Sequence, residues 1–141
     1  MILLDTNVVS EPLKLNGDVS VLNWLDAKII ETLYLSTISL AELRFGVAAL
    51  APGKRRDTLH TSLEQRILPL FVGRILSFDT AASEAYAELS ARARAQGKAI
   101  APADGYIAAT AATHGLIVAT RDVGPFEATG LKVLNPWNTQ Y

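Results

Sequence analysis

The sequence predicts an α/β fold, with a central parallel sheet flanked by helices in one domain that spans residues 1–141. Short apolar runs alternate along the chain with stretches of helical spacing, which indicates repeated β–α–β units. The apolar runs contain no regular polar alternation, which is typical of strands covered on both faces. Half of the 141 residues are hydrophobic, so the chain is rich enough in apolar side chains to form one core.

Five apolar runs are predicted strands: Met1–Leu4, Leu33–Ser36, Ile75–Phe78, Leu116–Ala119 and Lys132–Leu134. Apolar side chains at helical spacing predict five helices between them: one after Asp18, three whose apolar stripes begin at Leu40, Leu59 and Ala82, and one that starts at Pro102. Asp18 is a suitable N-cap, and proline is favoured in a first helical turn. Gln96-Gly97 and Gly115 mark the ends of two of these helices, because glycine suits the position after a helix.

The composition excludes several classes of protein. Cysteine is absent, which excludes disulfides, thiolate zinc sites and cysteine nucleophiles. The net charge is −1, so the overall charge does not by itself indicate a nucleic-acid-binding protein. No apolar run approaches the ~18 residues of a membrane span, and no signal peptide is recognisable. We therefore expect a cytoplasmic protein with no membrane partner.

Four carboxylates fall at the boundaries of predicted elements. Asp5 follows the first strand, Asp122 follows the fourth, and Glu42 and Asp104 lie in predicted first turns of helices. In a parallel sheet these boundaries share one edge, and ligands bind at that edge. Each acid also has a local interpretation as a helix cap, a turn residue or a partner of the helix dipole. For Glu42 that interpretation is a capping box with Ser39 as the N-cap.

Taken together, the four acids predict a cation site. Two unit charges ~4 Å apart repel by roughly 4 kcal/mol at an effective dielectric constant of ~20, so converging carboxylates need a cation. Oxygen ligands without histidine or cysteine suit Mg²⁺ or Mn²⁺. Such an ion activates water for attack on a phosphodiester.

Other classes of function also place acids at the ends of strands. A phosphoacceptor receiver-type signalling domain does so around Mg²⁺, but it needs a lysine near the end of a late strand, where this chain has Arg121. A phosphatase with two acids separated by one residue would need a carboxylate in place of Asn7. A catalytically inactive binding module is a further alternative that the acids disfavour.

Four segments resemble the PIN-domain ribonucleases, and in particular the FitB-like subgroup of VapC-type toxins from bacterial toxin–antitoxin pairs. They are MILLDTNVVSEPL, SLAELRFG, ADGYIAATAATHG and VATRDVGPF. The resemblance runs nearly end to end and includes NPW at Asn135–Trp137. It places all four acids in order with their flanking residues.

This resemblance implies a Mg²⁺- or Mn²⁺-dependent endoribonuclease that hydrolyses tRNA or another structured RNA. It also implies a homodimer, a small DNA-binding antitoxin as partner, and a possible dimer of dimers with that antitoxin. Asp5, Asp104 and Asp122 would be the principal metal ligands, and Glu42 would bind a second metal or orient the attacking water. The residues expected to support them are Thr6, Asn7 and Thr120.

A basic run follows Pro52-Gly53 and is predicted to begin a helix. Its members, Lys54, Arg55 and Arg56, would oppose the helix dipole there. They form either an ordinary solvated surface or a set of contacts to RNA phosphates, which would offset that cost. Arg121 either contacts phosphate or neutralises the neighbouring acids.

Overall fold

The computed structural model describes residues 1–138, so the last three residues of the predicted domain lie outside the described part of the chain. Its centre is a five-stranded, all-parallel sheet in the order β3-β2-β1-β4-β5. The strands are β1 (Ile2–Leu4), β2 (Leu33–Ser36), β3 (Ile75–Leu76), β4 (Ile117–Ala119) and β5 (Val133–Leu134). The predicted α/β class and parallel sheet are confirmed.

Only β2 has the predicted length, because the other strands are one or two residues shorter than their apolar runs. The largest difference is in β3, which was predicted to reach Phe78. The Phe78 N–H bonds to the Thr37 hydroxyl oxygen at 3.4 Å rather than to a strand carbonyl. Its ring packs against Tyr106, with 4.9 Å between the centroids, so Phe78 belongs to the core under a helix and not to the sheet.

Seven α-helices occur within residues 1–138: α1 (Thr6–Ser10), α2 (Val19–Asp26), α3 (Thr37–Ala48), α4 (Lys54–Ser62), α5 (Thr80–Ala95), α6 (Pro102–His114) and α7 (Val123–Glu127). A π-helical turn, Leu63–Ile67, continues α4. Asp18 caps α2 as predicted, and Gly115 ends α6 in the left-handed conformation, with φ 65°. In this part of the chain no helix has the length and apolarity needed to cross a bilayer.

Helix α3 begins three residues earlier than predicted. The Ser36 hydroxyl oxygen accepts a hydrogen bond from the Ser39 N–H at 3.0 Å, so Ser36 is the N-cap. The alternative interpretation of Ser39 and Glu42 as a capping box is therefore wrong, and Glu42 lies in the second turn of α3 rather than in the predicted first turn. Both serines precede an apolar helical stripe, so either could be the N-cap. Ser36, which is buried at the end of β2, accepts a hydrogen bond from a backbone N–H of the first turn, and the helix therefore begins directly after it.

The sheet separates two apolar cores, which explains the lack of alternation in β1. Ile2 and Leu4 pack in the core beneath α1 to α4, whereas Leu3 packs beneath α5 to α7. All three side chains are at most 9% exposed. The central strand is therefore rigidly held on both faces, which makes its end a well-defined position for a functional side chain.

Helices α5 and α6 pack closely at the start of α6. A Cβ atom at Gly105 would lie 2.7 Å from Cε2 of Tyr86, so only glycine allows this approach. The Tyr86 and Tyr106 rings pack against each other beside it, with centroids 4.9 Å apart and a tilt of 44° between the ring planes. This contact fixes the first turn of α6, which carries Asp104.

The strand order creates a topological switch point between β1 and β4. The chain proceeds outward from β1 through β2 to β3, then returns to the other side of β1 to form β4 and β5. The carboxyl ends of strands at such a point border a crevice where ligands bind in open α/β sheets. Asp5 directly follows β1 and Thr120 directly follows β4, so both border this crevice.

Candidate active site

Asp5 occupies the switch point and is held from both sides. It is 5% exposed, and it caps α1 by accepting the Thr6 N–H at 2.8 Å. Its second carboxylate oxygen accepts the Thr120 hydroxyl at 2.8 Å. The Asp5 N–H donates to the Ala119 carbonyl at 2.9 Å, which continues the pairing of β1 with β4. The carboxylate position is therefore set by backbone and side-chain contacts from two strands.

Thr6 connects the end of β1 to Glu42. Its hydroxyl donates to the Glu42 carboxylate over 2.6 Å, and the same oxygen lies 3.0 Å from the Ser39 hydroxyl. Glu42 is exposed, so its carboxylate faces solvent while this bond restrains one of its oxygens. Sequence reasoning missed Ser39 as a partner of Thr6, although the small polar run Ser36-Thr37-Ile38-Ser39 directly after β2 was a usable signal.

The other two acids come from the second half of the chain. Asp104 is the third residue of α6 and is half-buried. Asp122 precedes α7, is exposed, and makes no side-chain hydrogen bond to the helix start. Its N–H donates to the Thr120 hydroxyl oxygen at 3.0 Å. Thr120 thereby connects the Asp5 carboxylate to the backbone of Asp122.

The four acids share one electrostatic environment. Burial raises the pKa of the Asp5 carboxyl from 3.8 to about 6; hydrogen bonds from Thr120 and Thr6 oppose this rise, and the charges of Asp104 and Glu42 add to it. Burial likewise raises the pKa of Asp104, with further contributions from the charges of Asp122 and Glu42. The repulsion expected from the sequence contributes to both shifts, but no single neighbouring charge contributes as much as burial.

The donor set fits a hydrated divalent cation. Across residues 1–138, no group of three or more histidine, cysteine, aspartate or glutamate side chains is arranged to hold a metal ion by itself. Mg²⁺ usually binds one or two carboxylates and keeps several of its waters. Open, oxygen-only donors that still influence one another's charge are compatible with that mode of binding.

Asn7 and Arg121 flank the acids. The Asn7 amide lies 3.5 Å from the Thr120 hydroxyl oxygen and accepts the Arg121 N–H at 3.4 Å, so it joins the start of α1 to the loop after β4. The Arg121 guanidinium lies over the Trp137 ring, 5.3 Å from its centroid. Between residues 1 and 138 Arg121 forms no ion pair with the acids, which favours its role as an exposed contact over charge neutralisation. The part of Trp137 in placing Arg121 was missed from the sequence.

The basic run begins α4, as predicted, after the N-cap Gly53. Asp57 also lies in the first turn, which lessens the conflict with the helix dipole. The structure brings only part of the run to the acids. Arg55 lines a groove that includes Thr6 and Glu42, whereas Arg56 lines a different pocket with Arg44 and His60. Lys54 is exposed at the helix start.

Comparison with known proteins places this arrangement in a family context. Residues 2–131 match the model of the PIN domain. The VapC ribonuclease Y4jK of Sinorhizobium fredii is 58% identical over 137 residues, covering 97% of this chain and 98% of that protein. The toxin FitB of Neisseria gonorrhoeae is 56% identical over 138 residues, which cover 98% of this chain and 99% of FitB. The structure of FitAB bound to an IR36 DNA fragment contains a chain 53% identical, with a TM-score of 0.96 over 100% of this chain and 99% of that one.

Proposed function

Because the chain belongs to the PIN-domain family, in the group of the VapC ribonucleases and the toxin FitB, we propose that it cleaves RNA with a divalent metal as the toxin of a toxin–antitoxin pair. One observation carries this proposal. Carboxylates from four separate segments lie close enough to influence one another: the charges of Asp104 and Glu42 act on Asp5, and those of Asp122 and Glu42 act on Asp104. A scissile phosphate could approach such a surface only with a cation between them.

Each acid has a proposed role. Asp5, Asp104 and Asp122 would hold Mg²⁺ or Mn²⁺, directly or through water, and Glu42 would hold a second ion or orient the attacking water. When bound, the cation would lower the pKa of a coordinated water and neutralise charge on the phosphate. The Thr6 hydroxyl restrains Glu42, and the Thr120 hydroxyl restrains Asp5. Such supporting hydrogen bonds orient metal ligands, and Asn7 adds to them from the start of α1.

The partners in this proposal follow from the relatives. The substrate would be tRNA or another structured RNA, in the cytoplasm. The regulator would be a small DNA-binding antitoxin, in keeping with a relative that was solved as FitAB on DNA. The assembly would be a homodimer, or a dimer of dimers with the antitoxin.

The proposed activity is tested by incubating the purified protein, free of any partner, with total RNA in Mn²⁺, in Mg²⁺ and in EDTA. We expect cleavage with either ion and none in EDTA, because the acids alone repel the phosphate and cannot activate water. Cleavage products separated on a gel and mapped by their ends would give the measurement. Equal cleavage in EDTA would contradict the metal-dependent mechanism. The absence of cleavage in all three conditions would contradict the proposal that the protein is a ribonuclease.

Replacing Arg55 and Arg56 together with alanine is expected to weaken RNA binding and to flatten its salt dependence. Each lost phosphate contact should reduce the slope of log K against log salt by about 0.7–0.9. Binding of labelled RNA at several salt concentrations measures the slope, and the two single variants separate the contributions. The matched control is the double replacement of Arg92 and Arg94, which lie in the last turn of α5. If the salt dependence of RNA binding has the same slope in both double variants, Arg55 and Arg56 do not contact RNA and form an ordinary solvated surface.

A further inference from the structure

A groove bordered by α1, α3 and α4 opens at the candidate active site. It encloses about 290 Å³, which is near the lower end of the roughly 300–1,000 Å³ of small-ligand pockets. Thr6 and Glu42 belong both to its lining and to the site. The groove is therefore continuous with the surface where the scissile phosphate would lie.

Most of the remaining lining is apolar. Leu13, Leu43, Val47 and Leu59 contribute to it, and all four also pack in the core beneath α1 to α4. These walls are therefore firmly held. A flat group with apolar faces can enter such a groove without leaving a buried polar group unpaired.

Gly46 lines the same groove, one helical turn after Glu42 on the same face of α3. Glycine destabilises a helix interior relative to alanine, so a reason for its presence is needed. Packing does not provide one, because a Cβ atom built at Gly46 meets nothing within 4 Å. Backbone conformation does not either, because Gly46 is not among the residues with positive φ. The remaining effect of the missing side chain is on the groove, because Gly46 belongs to its lining beside Glu42.

Two cations line the groove, and they differ in availability. The Lys14 ammonium lies 3.0 Å from the buried Glu11 carboxylate. Arg55 is exposed and has no ion pair within the described residues. An apolar groove with an available guanidinium at its margin complements a nucleotide, whose base is flat and apolar on its faces and whose phosphate is anionic.

We propose that this groove receives a base of the RNA substrate, from a nucleotide beside the phosphodiester that is cleaved, and that Gly46 keeps the groove open for it. The proposal rests on the proposed ribonuclease function and adds a determinant of where the enzyme cuts. The base inserts among the leucine side chains while Arg55 contacts a neighbouring phosphate. Gly46 is thus a specificity-determining position rather than a catalytic residue.

The test compares Gly46→Leu with Gly46→Ala and with Ala41→Leu. Leucine at position 46 is expected to extend into the groove that Gly46 lines. Ala41 is exposed on α3 and does not line the groove, so Ala41→Leu controls for added bulk on the same helix. Both replacements of Gly46 are expected to raise the melting temperature, by about 1–4 °C for alanine. A loss of activity in a more stable protein separates an occluded groove from a damaged fold.

The probe is a short single-stranded oligoribonucleotide, selected from a randomised pool because the wild type cleaves it at one position in Mn²⁺. Two further versions carry an abasic residue on one or the other side of the cleaved bond. One of the two abasic versions should be cleaved by the wild type and by Ala41→Leu with a kcat/KM about tenfold lower than that of the intact probe, because the contribution of one inserted base is lost. Gly46→Leu should cleave the intact probe about tenfold more slowly and should no longer distinguish it from that abasic version.

The outcomes separate this inference from the function on which it rests. If Gly46→Leu cleaves the intact probe like the wild type and keeps the same abasic discrimination, the groove does not take a base and the inference is overturned. If the wild type cleaves no member of the pool in Mn²⁺, the proposed function itself fails. We expect Mn²⁺ to stabilise Gly46→Leu and the wild type with the same midpoint concentration. A large shift of that midpoint in Gly46→Leu would show that Gly46 also affects metal binding, and would overturn its assignment to the groove alone.

Discussion

Replacing Asp104 with asparagine is expected to lower RNA cleavage by at least about a hundredfold, while the metal-free protein stays as stable as the wild type or becomes more stable. Asp104 is half-buried, and its charge is opposed by burial and by Asp122 and Glu42. Removing the charge relieves that penalty in the metal-free state. It also removes a carboxylate that the proposed ion needs, so stability and activity should change in opposite directions.

The competing interpretation of Asp104 is that it only complements the dipole of α6. The matched control is Asp57→Asn, which removes an acid from the first turn of α4 outside the site. A purely structural acid there contributes about 0.3–1 kcal/mol, and its loss should leave cleavage unchanged. If Asp104→Asn destabilises the metal-free protein like Asp57→Asn and retains activity, Asp104 is a helix partner and not a metal ligand. Urea unfolding in EDTA and initial cleavage rates in Mn²⁺ provide the two measurements.

The unfolding free energy of the metal-free protein is expected to contain a component from Asp5 that falls by roughly 2–3 kcal/mol between about pH 4 and pH 7.5. The pKa of Asp5 is 3.8 in its ordinary state and about 6 in the folded protein. Between these values the folded state holds a proton that the unfolded chain has released. Stability therefore decreases as pH rises from the unfolded pKa through the folded one, and the loss is nearly complete at pH 7.5.

The comparison with Asp5→Asn isolates this component, because other groups also titrate in the same range. Asparagine keeps a carbonyl oxygen for the Thr6 N–H and an amide for the Thr120 hydroxyl oxygen, but it carries no charge. The difference in unfolding free energy between wild type and variant, measured in urea and EDTA, should therefore change with pH. Parallel pH profiles for the two proteins would show that the pKa of Asp5 is not raised.

A divalent cation should reverse the loss of stability. At pH 7.5, Mn²⁺ at a hundred times its dissociation constant is expected to stabilise the wild type by about 2.7 kcal/mol. The gain should shrink towards pH 4, because protons compete with the cation for the carboxylates. It should also shrink in Asp5→Asn at every pH. Equal Mn²⁺ shifts in the two proteins would remove Asp5 from the proposed metal ligands.

The sheet was predictable because its signals are local. Apolar runs without alternation, a proline in the first turn of α6 and the glycine after it each have one dominant interpretation. The start of α3 was not predictable, because Ser36 and Ser39 are both good caps and the choice depends on which serine lies at the buried end of β2. The end of β3 was not predictable either, because Phe78 contacts residues distant in the chain, the Tyr106 ring and the Thr37 hydroxyl, instead of continuing the strand.

The position of the four acids near one edge of the sheet could be predicted from the sequence, but their burial and contacts there could not. Asp5, Asp104 and Asp122 fall at element boundaries, so their common edge follows from the parallel sheet, whereas Glu42 lies one turn further along α3 than predicted. Which of them is buried does not follow from spacing, and burial at Asp5 turns out to be the main cause of its raised pKa. The sequence also does not show which member of the basic run lies near the acids. Neighbouring residues on a helix point in different directions, and of the three only Arg55 lines the groove at the acids.

The bond between Asp5 and Thr120 joins residues 115 positions apart in the chain, and this has a consequence during synthesis. A growing polypeptide that has left the ribosome only as far as α5 contains Asp5 and Glu42 but lacks β4, Thr120, Asp104 and Asp122. Chains emerge at roughly 5–20 residues per second and domains generally fold as units. A translation product that stops before Asp122 therefore lacks at least one of the four acids, so the proposed metal site could form only after β4 and the loop behind it have been synthesised.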